Sequence, residues 1–396
     1  MTTRSPHHLL VSALFSVGLL CSADLQAAPK KLLVVTTTAG FRHGPAIEAA
    51  QKVLPELANA SGGDFTLEFL KDLGPKPSPG RPPERGPKMT DAQWEEAEAK
   101  FRDALAMSKI EGPKWTAEVN ELFAQKLNPQ ALAGFDGVIF CNTTGDLPLP
   151  DGEGFRAWVQ SGKAFIGMHA ATDTLKAMPA YTEMINGSFA GHPWGGGGTS
   201  TFANHEPAHP AVAMFPNEFQ WSDEIYQYTN FNPAAVRVLI SLDIGKSQPS
   251  APYHVPVSWV RQVGGGRLFY TNFGHNASSW TNESYQKHIV AGIRWALKLT
   301  DGPSEPNPAV SAQQAIKSFA ATAATALSLD AAALEKKGIA KAAKDPEWAI
   351  KFRAEADAYR ALPAPNAKKD ATAGEVEKAK AAQSEMLKKL LSQIEG

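Results

Sequence analysis

Three short apolar runs constrain this chain more than anything else in it: KLLVVT at residues 31–36, GVIFC at residues 137–141 and AFIGM at residues 164–168. None alternates polar with apolar. A strand that is apolar on both faces must be covered on both faces, which is the condition of a parallel sheet sandwiched between helices. The sequence between the runs agrees. TTAGFRHGP follows the first, then a helical stretch at residues 46–57, then an alternating strand at 65–69. A β-loop-α-β opening is that of a doubly wound α/β sheet. Helices are expected at 152–160 and 173–185, and strands at 163–168, 236–242, 257–262 and 267–271. Residues 264–266 read as a hairpin turn between the last two. A closing helix over 283–299 offers Ile289, Ile293, Trp295 and Ala296 as a packing face.

The flanks set the domain boundaries. Arg4, His7 and His8 precede an apolar run at 9–20, and a polar segment ends in Gln26, Ala27 and Ala28. That is the pattern of a signal peptide over residues 1–28, so the mature chain is expected in the periplasm or outside the cell. The run is shorter than the ~20 residues that span a bilayer, and no later segment is long and apolar enough. Leu19 and Leu20 are bulky where a lipid-attachment site before Cys21 prefers small residues. Only Cys141 then remains, so no intrachain disulfide can form and the apolar core must hold the fold. The proline-rich stretch 74–87 must be a loop. Two helices, at 89–107 and 115–127, look inserted after it. The α/β domain covers residues 30–300, a linker 301–309, and a separable helical region 310–396, rich in Ala, Lys and Glu, follows.

In an open α/β sheet, ligands bind beyond the carboxyl ends of the strands. Five polar clusters fall near such ends: TAGFRH at 38–43, NTTGD at 142–146, His169 with Thr172 and Asp173, SDE at 222–224, and FGHN at 273–276. His169 is the sharpest residue. It follows AFIGM directly, at a strand-to-helix elbow that pushes a side chain over the sheet edge. Imidazole there suits metal binding or proton transfer. His275 follows a strand through Gly274, whose lack of a side chain permits close backbone approach. His192 sits in GHPWGGGG, with Trp194 as a candidate lid or sugar platform. Asp223 and Glu224 add carboxylates, and histidines with a carboxylate form a ligand set that Zn²⁺ accepts. His205 and His209 are separated by Pro207, so that pair belongs to a loop rather than a helical metal motif.

Other chemistries fit less well. Cys141 ends a strand but lacks the elbow, and a buried inert thiol is expected. The glycines at 195–198 lack the Lys-Ser/Thr of a phosphate-binding loop, and no glycine-rich turn after the first strand has dinucleotide spacing. With 39 basic and 40 acidic residues, net charge −1, the chain has no excess of positive charge for nucleic acid.

AGFRH at 39–43, NTTGD at 142–146, FIGMHAATDT at 165–174, FAGHPW at 189–194, SDEIYQY at 222–228, GGGRLFYTNFGH at 264–275 and GIRWA at 292–296 resemble the ThuA-like (trehalose-utilisation) family over residues 30–299. The resemblance implies a class I glutamine amidotransferase-like fold, a flavodoxin-like three-layer sandwich with a mostly parallel sheet. An amidotransferase would carry cysteine where this chain has His169, so that activity is not implied. Members are linked to metabolism of trehalose and of oxidised (3-keto) glycosides. His43, His169, His192, Glu224 and His275 match the family's polar positions. The expected partner is a small carbohydrate. His169, His275, Glu224 and His43 are the expected catalytic residues, with His169 or His275 as base. Asn142, Thr143, Asp173, His192, Trp194 and Tyr226 are the expected substrate contacts. His169, Glu224 and His275 are the expected ligands if a divalent metal such as zinc is bound. The rival reading is a non-catalytic carbohydrate-binding or structural protein of the cell envelope. The convergence of several histidines with carboxylates favours the enzyme, since a neutral sugar needs fewer ionisable groups.

Overall fold

The computed structural model describes residues 1–2, 28–363 and 371–396. The expected signal peptide lies almost entirely outside these residues. The chain enters at β1 (Lys30–Val35), α1 (Gly44–Ala60) and β2 (Phe65–Phe69). After a loop come α2 (Asp91–Lys126), α3 (Pro129–Leu132), β3 (Gly137–Cys141), α4 (Gly152–Gln160) and β4 (Ala164–Met168). A 3-10 turn over His169–Asp173 leads to α5 (Pro179–Ile185), β5 (Ser188–Phe189), β6 (Ser200–Asn204), β7 (Glu218–Trp221) and β8 (Tyr228–Thr229). The sheet closes with β9 (Arg237–Leu242), β10 (Pro256–Val263) and β11 (Gly266–Thr271). Helices α6 (Ala277–Trp280), α7 (Glu283–Ala296), α8 (Pro308–Leu327), α9 (Ala331–Lys344), α10 (Pro346–Asp357) and α11 (Ala373–Glu395) follow.

Nine strands form one sheet in the order β2-β1-β3-β4-β11-β10-β9-β6-β7. The pairings from β2 through β11 are parallel, and those from β11 through β7 are antiparallel. The parallel half is buried on both faces, as the apolar runs require. Leu32 and Val34 of β1 pack on one side with α1 and α7, while Leu33 and Val35 pack on the other with the end of α2, α4 and α5. The same alternation divides Ile139 from Val138 and Phe140 in β3, and Ile166 from Phe165 in β4. This is the expected three-layer α/β sandwich with a mostly parallel core. Its antiparallel extension includes β6 and β7, which were not anticipated because each is short and carries polar residues.

Two helix assignments differ from expectation. The two helices around residues 89–127 are one, α2, which runs through Pro113. Proline removes one backbone donor without breaking a helix that is pinned at both ends: Thr90 and Gln93 form a capping box, and Trp115, Val119 and Phe123 are buried. The helix expected at 173–185 is instead a 3-10 turn and the shorter α5, separated where Leu175 takes φ 50° and Pro179 restarts the helix.

The C-terminal helices pack onto the sheet. Ile316, Phe319 and Ala320 of α8 and Phe352 of α10 share a core with Leu239 and Ile240 of β9. The connection is also fixed. Asn307 accepts from the Val238 amide at 2.7 Å and donates to its carbonyl at 3.0 Å, and Lys317 pairs with buried Asp243 at 2.9 Å.

Candidate metal and catalytic site

Four loops meet beyond the carboxyl ends of the parallel strands, and each delivers one polar side chain. His43 is the cap residue of α1 and makes no capping bond. His169 follows β4 and takes φ 46°, a left-handed conformation rare for a residue with a Cβ. That strain is the signature of the elbow anticipated from AFIGMH. Glu224 lies beyond β7 and His275 beyond β11. One ligand atom from each of the four lies within 4.8 Å of the others. The three imidazole rings form a near-regular triangle, with centroids 5.0, 5.1 and 5.2 Å apart.

The surrounding hydrogen bonds fix how these rings face. His169 is fully buried, and its Nδ1 lies 2.7 Å from the Asn272 carbonyl. A carbonyl accepts only from Nδ1–H, so in the neutral ring Nε2 carries the lone pair. That Nε2 has no hydrogen-bond partner and stands 3.6 Å from Glu224 Oε2. His275 repeats the pattern: Nδ1 is 3.0 Å from Asn276 Oδ1, and Nε2 is 3.6 Å from the same Glu224 oxygen. A ring whose far nitrogen is held by a carbonyl oxygen is the usual arrangement of a metal-bound histidine. The buried Nδ1 of His43 is also unpartnered, while its Nε2 lies 3.2 Å from the Tyr226 hydroxyl. Burial, reinforced by His169 and His275, lowers the His43 pKa to about 3, so the ring is neutral and able to coordinate. Burial pushes the Glu224 carboxyl up, but the adjoining His169, His275 and His192 outweigh it and hold the group below its ordinary range.

Asp223 builds the loop that carries His275. Its buried carboxylate accepts from the Gly274 amide at 2.7 Å, the Asn276 amide at 2.8 Å, the Ser279 hydroxyl at 2.9 Å and the Glu224 amide at 3.1 Å. Gly274 has φ 110°, and a Cβ there would collide with the Tyr285 hydroxyl. The turn therefore needs glycine.

The expected substrate contacts divide. His192 joins the site, half exposed, with Nδ1 3.2 Å from Glu224 Oε1. Tyr226 is present but buried, its ring 4.4 Å from His169 and 4.3 Å from Phe189, so it walls the site and offers no open face. Trp194 is only 2% exposed and donates Nε1–H to the Pro249 carbonyl at 3.0 Å. The expectation of a lid or platform there is corrected: a tryptophan in a glycine-rich loop turns inward when a carbonyl is available for its N–H. Asn142 and Thr143 are buried beneath the loops, bonding Gly274 and Thr174. Asp173 pairs with Lys176 at 2.6 Å. His205 and His209 lie in the expected loop, away from the group. Cys141 is buried, and burial pushes its thiol up to about 12. Asn272, which orients His169, was not legible in the sequence: it is the first residue after β11 and acts through its main-chain carbonyl, which any residue type supplies.

The trehalose-utilisation family model, ThuA, matches residues 84–296, more than half of the chain. The chain belongs to the ThuA family. The match begins after His43, so that residue joins the ThuA region through the fold. Solved ThuA-like proteins are similar to the chain. One from Bacteroides uniformis is 19% identical with a TM-score of 0.48, the match covering 73% of this chain and 99% of that one. Another, from Parabacteroides merdae, is 16% identical with a TM-score of 0.45, covering 71% and 98%. No curated protein matches the chain.

Proposed function

We propose that this ThuA-family chain is an exported enzyme acting on a sugar or oxidised (3-keto) glycoside, with a divalent metal such as zinc at His43, His169, Glu224 and His275. The observation that carries the reading is the unpartnered, fully buried Nε2 of His169. A histidine kept only for packing would find a partner for both nitrogens, because an unsatisfied buried polar atom costs about 1–3 kcal/mol. Here the lone pair faces a carboxylate and two other imidazoles, a donor set suited to zinc. A metal held there would polarise a carbonyl or enediolate oxygen of the sugar.

The chain's own residues supply the rest. Asn272 and Asn276 hold the His169 and His275 rings so that Nε2 of each faces inward. With three histidines committed as ligands, His192 is the imidazole left to move a proton. Glu224 Oε1 holds its Nδ1, leaving Nε2 to take a proton from the carbon beside the carbonyl or to return it. Tyr226 and Phe189 close the wall behind it and keep water from that side.

The test is turnover of 3-keto-glycosides by the purified chain before and after chelation, with and without added zinc. Activity that disappears with the metal and returns with zinc supports the reading. Tight glycoside binding with no conversion at any metal loading contradicts it and favours a binding protein. Intact mass of the cell-fractionated protein tests export: a mature start near Ala28 is expected, and a full-length cytoplasmic species contradicts it.

A further inference from the structure

Among the described residues, Phe41 is the one large hydrophobic side chain at this end of the sheet that the fold leaves exposed. It is 71% accessible, and the other exposed large hydrophobics among the described residues lie at Met1, in α2, after α8 and in α10. An exposed phenyl ring contributes little to folding, and a single one is ordinary on a protein surface; what sets Phe41 apart is that it stands beside the histidine group on a loop held from both sides.

The loop that carries it is fixed on both sides. The Ala39 and Gly40 amides donate to the Thr144 carbonyl at 2.8 and 3.3 Å. The Thr144 hydroxyl donates to the Phe41 carbonyl at 2.7 Å. Next in the chain, Arg42 makes a two-pronged pair with Asp72 at 3.1 and 2.6 Å, and Asp72 also accepts from Gln51 and from the Gly74 amide. Gly40 leaves almost no room for a side chain, since a Cβ would sit 3.3 Å from Thr144 Oγ1. A backbone held this firmly fixes the point from which the ring projects into solvent. The ring centroid is 5.0 Å from that of His43, edge to face, and so one ring outward from the ligand triangle. Trp194 and Tyr226, the aromatics expected to stack on a ligand, are both turned into the core.

We infer that Phe41 is the platform on which the site stacks the ring of its ligand, and that it selects cyclic sugars over open-chain ones. The inference rests on the carbohydrate reading of the site. The apolar face of a pyranose, lined with C–H groups, matches an aromatic face that is rigid and pre-positioned, and such a surface costs little to order on binding. An open-chain polyol or aldonate has no ring face to offer. It reaches the metal ligands without using Phe41.

The test uses the full chain loaded with zinc and three proteins: the parent, Phe41→Ala and Phe41→Trp. Calorimetry measures binding of methyl glucopyranoside and of gluconate, and metal content and melting temperature are recorded for each. Phe41→Ala is expected to weaken the pyranoside about 5- to 10-fold, as loss of one aromatic contact does, and to leave gluconate and zinc unchanged. Phe41→Trp is expected to restore the pyranoside. Equal pyranoside affinity in parent and Phe41→Ala overturns the inference, and so does an equal loss of both ligands. Failure here is separable from failure of the proposed function. Zinc-dependent turnover of a 3-keto-glycoside with unchanged KM in Phe41→Ala overturns the platform alone. A zinc-loaded parent that binds no pyranoside overturns the platform, and one that in addition turns over no 3-keto-glycoside overturns both.

Discussion

Replacing Asp223 by alanine tests whether the site is built by its surroundings or merely placed in them. The carboxylate accepts four hydrogen bonds, from the Gly274, Asn276 and Glu224 amides and the Ser279 hydroxyl. Ser279 can turn its hydroxyl to another acceptor. The Gly274 and Asn276 amides are fixed by the backbone and cannot. Hydrogen bonds to a charged group contribute about 1.5–3 kcal/mol each, so losing these two costs about 3–6 kcal/mol. For a domain larger than 200 residues, ~2 °C is lost per kcal/mol, which gives a fall in Tm of about 6–12 °C. The same loop holds His275, and disturbing a group that orients a metal ligand lowers affinity about 10- to 100-fold. Asp223→Ala should therefore melt early and bind zinc weakly in a competition titration against a chromophoric chelator. Asp223→Asn keeps one acceptor and should fall between. A Tm within ~2 °C of the parent, with unchanged zinc affinity, would refute the reasoning, because it would mean the four bonds neither hold the loop nor place His275.

Three further outcomes follow from burial. His43, His205, His209, His254 and His288 all have folded pKa values below their ordinary one, with burial as the largest cause: His43 at about 3, and His205, His209 and His288 at about 4. The unfolded chain takes up these protons below pH ~6.5 and the folded chain does not, so stability is full above that pH and declines as pH falls from it towards ~4, by up to about 1.4 kcal/mol per pH unit for each histidine. Urea midpoints of metal-free protein should drop between pH 7.5 and 5, and a flat profile would contradict this. Cys141→Ser should keep activity, and the native thiol should resist alkylation until the protein unfolds, because burial keeps it protonated; rapid labelling of folded protein would show otherwise. Trp194→Ala should act on the core, lowering stability by about 3–5 kcal/mol in chemical denaturation, whereas a selective loss of glycoside binding without destabilisation would return Trp194 to the site.

Much of this was legible because the parallel half of the sheet writes its burial into the sequence. KLLVVT, GVIFC and AFIGM are apolar on both faces, and their ends marked where ligand-binding loops had to converge. His169 was readable from its position one residue beyond a strand, and its φ of 46° bears that out. His43, Glu224 and His275 were brought together as expected. What the sequence hid depends on direction rather than position. Trp194 and Phe41 both sit in short loops beside glycine, yet one turns inward to a carbonyl and the other stays out. Loop composition does not encode that choice. The strands β6 and β7 were hidden because Ser200, Thr201, Asn204, Glu218 and Gln220 interrupt any apolar pattern. The packing of α8 on β9 was hidden because small alanines on an Ala-rich helix look alike whether buried or not.

The proposed function stands on three histidines and one glutamate that could hold a single metal ion. The most direct measurement is metal content of the purified full chain by elemental mass spectrometry, in the parent and in His169→Asn and His275→Ala. Asparagine is chosen at 169 because it tolerates the positive φ that alanine would resist. About one equivalent of zinc or a similar divalent ion is expected in the parent, and its loss from both folded variants. A parent that takes up no divalent ion even when zinc is supplied in excess, or variants that retain a full equivalent, would contradict it.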